Sequence, residues 1–271
     1  MPNHIGEQNV SVHMSFNNSI RRKETASKFF DHFRSIFPNL EFSSMGQWEP
    51  LRKKFDPTTA VEEWVQNRGA QGRSQFGDYI FHGAKPAMFD AFVRWHDTGS
   101  NVRWTDSVSV MFSEHFWKRT LVTDMTEKAI RLLKSLSTLA RPLYGRGYSS
   151  AEFESKDFRE RVLKDGRISR ESIPLTPRQG IVDLFWLNYF GKPYVSIFGE
   201  ESLQRVRCLR NERVSDGFLL VFAQDPFRWN EHESLASEKT AKEELDGSAF
   251  FDLARDSQPN LEIESETTLD T

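Results

Sequence analysis

The sequence predicts an α+β fold, in which a mostly antiparallel sheet packs against amphipathic helices in a two-layer arrangement. Alternating apolar residues predict a strand near the N-terminus and a run of consecutive strands between residues 76 and 112. Apolar residues at helical spacing predict amphipathic helices over residues 26–37 and 129–140. Helices interrupt the strands without the regular alternation of a doubly wound fold, which favours the α+β class.

The first two predicted elements are a strand and a helix with an aromatic face. Residues 10–16 alternate between apolar and polar side chains, and His13 lies on the polar side of this strand. Asn17, Asn18 and Ser19 offer a helix cap. The helix that follows ends at Pro38, and its apolar stripe consists of Ala26, Phe29, Phe30, Phe33, Ile36 and Phe37. We expect this stripe to form part of the core.

The middle of the chain predicts a short helix and then a β-meander. Asp56 and Pro57 supply a cap and a first-turn proline before Trp64. Three predicted strands and one turn follow, at Phe76–His82, Met88–Trp95, Asp97–Asn101 (the turn) and Val102–Phe112. Because short turns join consecutive strands, the sheet is expected to be antiparallel.

The second half mixes short helices and strands. Asp124 and Glu127 have the spacing of a capping box ahead of the clearest amphipathic helix, which Pro142 stops. The further predicted segments are a strand at Leu143–Tyr148, a helix at Ala151–Lys164, a loop at Asp165–Arg178, a strand at Ile181–Tyr189, helices at Tyr194–Gly199 and Glu200–Val206, a strand at Gly217–Gln224 and a charged helix at Ser237–Leu245.

Charge divides the chain into a body and an acidic tail. Residues 237–271 carry ten acidic and three basic side chains, a net charge of −7, while the rest carries 33 basic and 29 acidic ones, a net charge of +4. We therefore expect one α+β domain over residues 1–235. Residues 236–271 are expected to form an acidic tail that is partly helical and disordered from Pro259 onward. Such a tail is suited to a basic partner or to the protein's own basic face.

The composition excludes some classes of protein. The single cysteine, Cys208, rules out a disulfide within the chain and reads as a small core residue. No basic segment followed by an apolar run begins the sequence, and no run approaches the ~20 apolar residues of a membrane helix. We expect a cytoplasmic protein without membrane contact.

A search for chemical motifs predicts no catalytic, cofactor or metal site. The segment Gly145-Arg-Gly147 lacks the third glycine of a dinucleotide loop and reads as a flexible connection between a helix and a strand. None of the seven histidines pairs with another at metal-binding spacing, and Glu231-His232-Glu233 reads as a solvated turn. The nucleophile elbow Gly-x-Ser-x-Gly is absent.

One segment resembles a known family. Residues 181–199 contain the pattern Trp186-x-Asn188-Tyr189-Phe190-Gly191-x-x-Tyr194-Val195 and close on Gly199. This pattern, and the Leu139–Tyr148 segment that precedes it, are similar to bacterial immunity proteins of polymorphic toxin systems, with the Imm52-type family as the nearest resemblance. The resemblance implies a non-catalytic protein that binds and neutralises a cognate toxin, as in type VI secretion systems. The aromatic residues of the motif are expected to be core anchors, and Gly191 to provide a backbone geometry that other residues resist.

Two alternatives and the stoichiometry, including a homodimer, stay open. An enzyme with an acid/base site is expected to bring together two or more of five side chains in a deep pocket: His82, His96, His115, Asp90 and Asp97. A nucleic-acid-binding accessory protein is expected to gather Arg21-Arg22-Lys23 and Arg52-Lys53-Lys54 on one face. Because acids follow each basic triplet, no nucleic acid is expected as a partner.

Overall fold

The computed structural model describes residues 8–66, 76–84, 89–96, 104–163 and 165–264, and these residues form an α+β fold. Within these ranges, eight α-helices accompany a ten-stranded sheet and a separate two-stranded hairpin. Every described pairing between named strands is antiparallel, which confirms the predicted sheet and fold class. The predicted turn at Asp97–Asn101 lies outside the described residues. None of the described helices is both long and apolar enough to cross a membrane.

The large sheet has the first strand of the chain near its centre. Its order is β11-β12-β10-β7-β1-β6-β5-β4-β2-β3. The strands are β1 Asn9–Phe16, β2 Phe42–Gly46, β3 Lys53–Lys54, β4 Phe76–Gly83, β5 Phe89–His96, β6 Asp106–Ser113, β7 Pro142–Ser149, β10 Leu187–Phe190, β11 Arg210–Val214 and β12 Gly217–Val221. The hairpin pairs β8 Phe158–Val162 with β9 Ile168–Ser172. The helices are α1 Lys23–Ile36, α2 Pro57–Gln66, α3 Glu114–Arg119, α4 Val122–Leu136, α5 Ser150–Lys156, α6 Lys192–Phe198, α7 Glu200–Arg205 and α8 His232–Glu244.

One face of the sheet is covered by α1, α2, α3 and α4 through an aromatic core. The predicted stripe of α1 is buried, and its rings meet rings of the sheet: Phe33 stacks on Phe89 at a centroid distance of 5.1 Å, and Phe30 meets Phe81 edge-on at 5.3 Å. Burying one such side chain contributes roughly 1.5–3 kcal/mol relative to leaving it in water. The stripe is therefore core, as predicted.

A second core lies on the opposite face at one end of the sheet. Along β12, Leu219 and Val221 belong to the first core, whereas Phe218 and Leu220 belong to the second. Because side chains alternate between the two faces of a strand, the two clusters lie on opposite sides. Aromatic residues of α6 and side chains of α7 and α8 complete the second core. The sheet thus has helices on both faces at the β12 end.

Several local predictions are wrong. The helix predicted at Ala151–Lys164 ends at Lys156 and gives way to β8, and the predicted loop after it contains β9. No capping box precedes α4, which begins at Val122 after Leu121, so that Asp124 lies in its first turn. Asn17–Ser19 does not cap α1, whose cap is Arg22. By contrast, Asp56 does cap α2, because its Oδ1 accepts from Thr59 N at 2.8 Å.

Two further segments differ from the prediction, one rich in glycine and one rich in aromatic residues. The Gly145-Arg-Gly147 segment is the middle of β7 and not a flexible connection. A Cβ at Gly145 would lie 2.8 Å from Met14 Cε, so the glycine makes room for the core. Of the strand predicted at Ile181–Tyr189, only the last three residues belong to a strand, β10, which begins at Leu187 and ends at Phe190. The residues before Leu187 form a mostly buried loop.

The acidic C-terminal segment packs against the domain up to Ile263. Phe250 and Ile263 belong to the second core, although the sequence predicts disorder from Pro259. Buried Arg178 fixes this segment to the end of β1, because its guanidinium donates to Asn17 Oδ1 at 2.7 Å and to Ile263 O at 3.2 Å. The domain division at residue 235 remains a prediction.

Gly191 follows β10 for a different reason from the one expected. Its φ is −74°, which any residue adopts. A Cβ at this position, however, would lie 1.9 Å from Pro142 O, because the backbone of β7 passes directly beside it.

We predict that Gly191→Ala destabilises the protein by roughly 1–3 kcal/mol or more, because the strand β7 must shift to make room for the methyl group. Equilibrium unfolding in denaturant measures the change. Gly247→Ala is the matched control, since a Cβ there meets nothing within 4 Å. Equal stability of the two variants would contradict the packing argument.

Candidate functional site

The polar face of the predicted N-terminal strand is part of a larger partly exposed surface. In β1, Val10, Val12, Met14 and Phe16 lie in the first core, so His13 points to the opposite side, as predicted. The same side of β4, β5 and β6 carries further residues that all keep some solvent exposure. We call this surface the outer sheet face; its residues are His13, Asp78, Ile80, His82, Asp90, Phe92, Arg94, Ser107, Ser109 and Met111.

His13 lies at the centre of a row that crosses five strands. Strand register places Arg146, His13, Ser109, Phe92 and Ile80 side by side on β7, β1, β6, β5 and β4. The His13 ring lies 2.6 Å from Ser109 Oγ through Nδ1 and 3.0 Å from Ser15 Oγ through Nε2. Its ring nitrogens are therefore engaged by hydroxyl groups of the same sheet.

The environment keeps His13 neutral. Burial, followed by the positive charges of Arg146 and Arg94, lowers the pKa of His13 to about 3. A neutral imidazole has one donor and one acceptor nitrogen, which matches two hydroxyl partners. His13 consequently forms hydrogen bonds within the sheet as a neutral side chain, and it does not change its protonation near neutral pH.

Arg146 is held where the outer sheet face meets the covered end of the sheet. Its guanidinium lies over the rings of Tyr148, Phe153 and Phe185 at 4.8–5.1 Å from their centroids. Its Nη1 also donates to Asp157 Oδ1 at 3.0 Å. Cation–π contacts of this kind are worth roughly 0.5–2 kcal/mol each, so the side chain is fixed in place.

Arg94 is the most exposed charge of the outer sheet face. It forms a two-pronged pair with Asp78 on the neighbouring strand, with Nε–Oδ1 at 2.6 Å and Nη2–Oδ2 at 3.0 Å. The Arg94 side chain remains 55% exposed. Because Phe92 lies two residues away on the same side of β5, a charge and an aromatic ring stand together on this surface.

Two of the five side chains proposed for an acid/base site do meet. His82 and Asp90 are opposite each other on β4 and β5, with His82 Nδ1 2.5 Å from Asp90 Oδ1. On the other side of the ring, His82 Nε2 lies 2.8 Å from Glu49 Oε1. Burial raises the pKa of Asp90. Both ring nitrogens thus have carboxylate partners, and His82 joins β4, β5 and the segment after β2.

The other members of that set lie apart or are not described. His115 lies on α3, in the helical layer. The side chain of His96 and all of Asp97 are outside the described residues. Cys208 donates to Arg210 O at 3.0 Å, and burial raises its pKa to about 11, so its thiol stays protonated. In the described part of the chain, no three His, Cys, Asp or Glu side chains form a group that could hold a metal ion.

At least one residue of each basic triplet is engaged by a neighbouring group. Arg21 Nε donates to Val65 O at 2.7 Å, and Lys53 forms an ion pair with Glu63 on α2. The sequence predicts a solvent-exposed turn at Glu231-His232-Glu233. This prediction is wrong, because His232 and Glu233 form the first turn of α8. The motif residues Trp186, Tyr189, Phe190 and Tyr194 are all buried, as expected of core anchors.

A buried ionic cluster that the sequence did not indicate lies next to Arg146, with the ring of Phe185 between the two cations. Lys156 at the end of α5 donates from Nζ to Glu152 Oε1 at 2.9 Å, to Glu238 Oε2 at 2.6 Å and to Leu184 O at 2.7 Å. Glu152 Oε1 also accepts from Trp186 N at 2.8 Å. The cluster joins α5, α8 and the segment that leads to β10. Glu152 and Lys156 have helical i, i+4 spacing, but nothing local in the sequence points to Glu238.

Burial alters the protonation of this cluster. It raises the pKa of Glu152 to about 8 and that of Glu238 to about 7, although Lys156 opposes both shifts. For Lys156, the carboxylates outweigh burial and raise its pKa, so the ammonium persists. Among the residues that the structure describes, none hydrogen-bonds to Glu152 Oε2 or Glu238 Oε1, so either oxygen can carry the proton.

Comparison with known proteins finds a shared fold. No family model matches the chain, and no curated protein matches it in sequence. Among solved structures, the chain is similar to the Pseudomonas aeruginosa T6SS protein PA0821, with a TM-score of 0.53 and 13% identity. The match covers 89% of this chain and 76% of that one. At this identity the likeness concerns the fold, and it extends over nearly all of it.

We predict that the free energy of unfolding falls as the pH rises from about 5 to 8. The pKa values of Glu152 and Glu238 are higher in the folded than in the unfolded chain, so these two groups bind more protons in the folded state in this range. His13, whose pKa is lowered from 6.5 to about 3, opposes this trend below about pH 6.5, but it is one group against two. Each such proton contributes up to about 1.4 kcal/mol per pH unit. Glu152→Gln is expected to flatten the profile, which urea unfolding at several pH values measures.

Glu154→Gln is the control, because Glu154 lies on the same helix but its side chain is 59% exposed. Its profile should match that of the wild type. A wild-type profile that rises over this range would contradict the raised pKa values.

Proposed function

We propose that this chain is a non-catalytic immunity protein that binds and neutralises a cognate bacterial toxin through protein–protein contact. The setting is a type VI secretion system, and the protein acts in the cytoplasm. The shared fold with a T6SS protein of Pseudomonas aeruginosa supports this setting. The aromatic and glycine pattern at residues 186–199 supports kinship with Imm52-type immunity proteins.

The observation that carries the proposal is the composition of the outer sheet face. Phe92, Arg94 and Met111 belong to residue types that are enriched at protein interfaces, and all three are partly exposed there. Strands on both sides hold their backbone in a fixed register, so little backbone entropy is lost on binding. A rigid surface of mixed aromatic and charged character is suited to a folded protein partner.

The state of the ionisable groups favours binding over catalysis. His82 has carboxylates on both ring nitrogens, His13 stays neutral, and the thiol of Cys208 stays protonated. A general base needs a nitrogen or oxygen free to take a substrate proton. Each of these three side chains instead has hydrogen-bond partners within the protein, which suits a stable scaffold.

The direct test is co-expression with the product of the neighbouring gene. Production of that product alone is expected to stop growth of a bacterial host, and this chain is expected to restore it. The purified proteins are expected to form a stable complex in size-exclusion chromatography. A harmless neighbouring product, or a toxic one that this chain neither binds nor counteracts, would sink the proposal.

We predict that the double variant Phe92→Ala, Arg94→Ala weakens binding of that toxin at least roughly tenfold, about 1.4 kcal/mol, because it removes an aromatic and a guanidinium contact together. Calorimetric titration measures the change, and unfolding curves check the fold. Arg161→Ala is the control, since Arg161 is 63% exposed and faces Glu171 across the separate β8–β9 hairpin. Unchanged affinity in the double variant would exclude the outer sheet face as the contact surface.

A further inference from the structure

A groove of about 600 Å³ lies in the helical layer, away from the outer sheet face. The C-terminal end of α1 and the residues after it form one wall, and α3 and α4 form the other. Its apolar part includes Phe37, Leu40, Phe116 and Met125. Phe37 and Met125 are buried, while Leu40 and Phe116 are half-buried and remain accessible from the groove. Side chains of a ligand could therefore bury apolar surface here.

Among the described residues, all ionisable side chains that line this groove are basic or histidine. They are His115 and Arg119 on α3, and Lys128 and Arg131 on α4. Lys128 is paired with Asp124, with Nζ–Oδ2 at 2.7 Å. Arg119 and Arg131 are exposed, and neither side chain forms an ion pair with another residue of the described ranges. Two guanidinium groups thus flank an apolar floor without a carboxylate to neutralise them.

We propose that this groove binds an acidic segment of a partner protein in which carboxylates alternate with apolar side chains. A guanidinium accepts a carboxylate through two parallel hydrogen bonds, which suits Arg119 and Arg131. A segment that also carries Leu or Phe can bury these side chains on the apolar floor. Such burial lowers the free energy of binding by roughly 25 cal/mol per Å² of apolar surface. Charge and apolar area together select an acidic, amphipathic peptide.

A nucleic acid fits the groove less well. Single strands bind by stacking bases on exposed aromatic faces next to basic groups. Here Phe37 is only 3% exposed, and aliphatic side chains such as Leu40 and Met125 make up much of the floor. The floor therefore offers an apolar surface for the side chains of a peptide, and little exposed aromatic surface for stacking bases.

This inference goes beyond the proposed function and does not depend on it. The groove belongs to the layer formed by α1, α3 and α4, whereas the outer sheet face lies on the other side of the sheet. Variants in one surface leave the other intact. Loss of toxin binding and loss of peptide binding can therefore be observed separately.

The test uses fluorescence anisotropy with a short labelled peptide that alternates Asp or Glu with Leu or Phe, added to the full-length protein. The peptide is expected to bind and to bind less tightly as salt is added, because salt screens exposed charges. Arg119→Glu and Arg131→Glu are each expected to weaken binding roughly tenfold or more. Arg205→Glu makes the same change of net charge on exposed α7 and is expected to leave binding unchanged.

Four results would overturn the inference. The first is no measurable binding, and the second is equal loss with Arg205→Glu, which would indicate a general charge effect. The third is tighter binding of a labelled single-stranded oligonucleotide that is lost in Arg119→Glu. The fourth is a gain of roughly tenfold in peptide affinity when Glu266 and Asp270 are changed to Lys, which would identify the chain's own C-terminal residues as the occupant. Circular dichroism confirms that each variant is folded.

Discussion

The arrangement of α5, α8 and the segment before β10 depends on the buried ammonium group of Lys156. It joins two carboxylates and a backbone carbonyl from three separate segments, and its side chain is only 6% exposed. A buried ion pair gives little net stability compared with apolar packing, but loss of one partner leaves an uncompensated charge that costs roughly 3–5 kcal/mol. The cluster therefore specifies how α5 and α8 are arranged around the segment before β10 more than it adds to the overall free energy of folding.

The elements that could be predicted are those whose patterns are local. The aromatic face of α1, the β4–β5–β6 meander and the helix around Leu132 each follow from residue spacing, because burial on one side enforces that spacing. The change from α5 to β8 at Asp157 was missed because the apolar residues after it were assigned to the same helix. Phe153 and Val162 are nine residues apart, which places them on opposite sides of a helix, so their spacing gives no single helical face. The pairing of β8 with β9 instead defines the structure of this segment.

Residues of the candidate site were harder to foresee, because their roles arise from distant pairings. The sequence showed that His13 faces away from the core, but only the register of β1 with β6 and β7 places it between Ser109 and Arg146. Glu238 counts as one more acid of a charged tail in the sequence, yet it is 3% exposed in the fold. The sequence gives the charge of Glu238, but its burial depends on Lys156, which lies 82 residues earlier in the chain.

The position of β1 sets the order in which the molecule can assemble during synthesis. Its partners are β6 and β7, so Asn9 pairs with Ser113 and Val10 with Ser149. More than half of the chain must leave the ribosome before the centre of the sheet can close, and contacts this distant in sequence slow folding. Until then the nascent N-terminal half presents a bare strand and an aromatic helix, a natural substrate for chaperones that shield apolar surface.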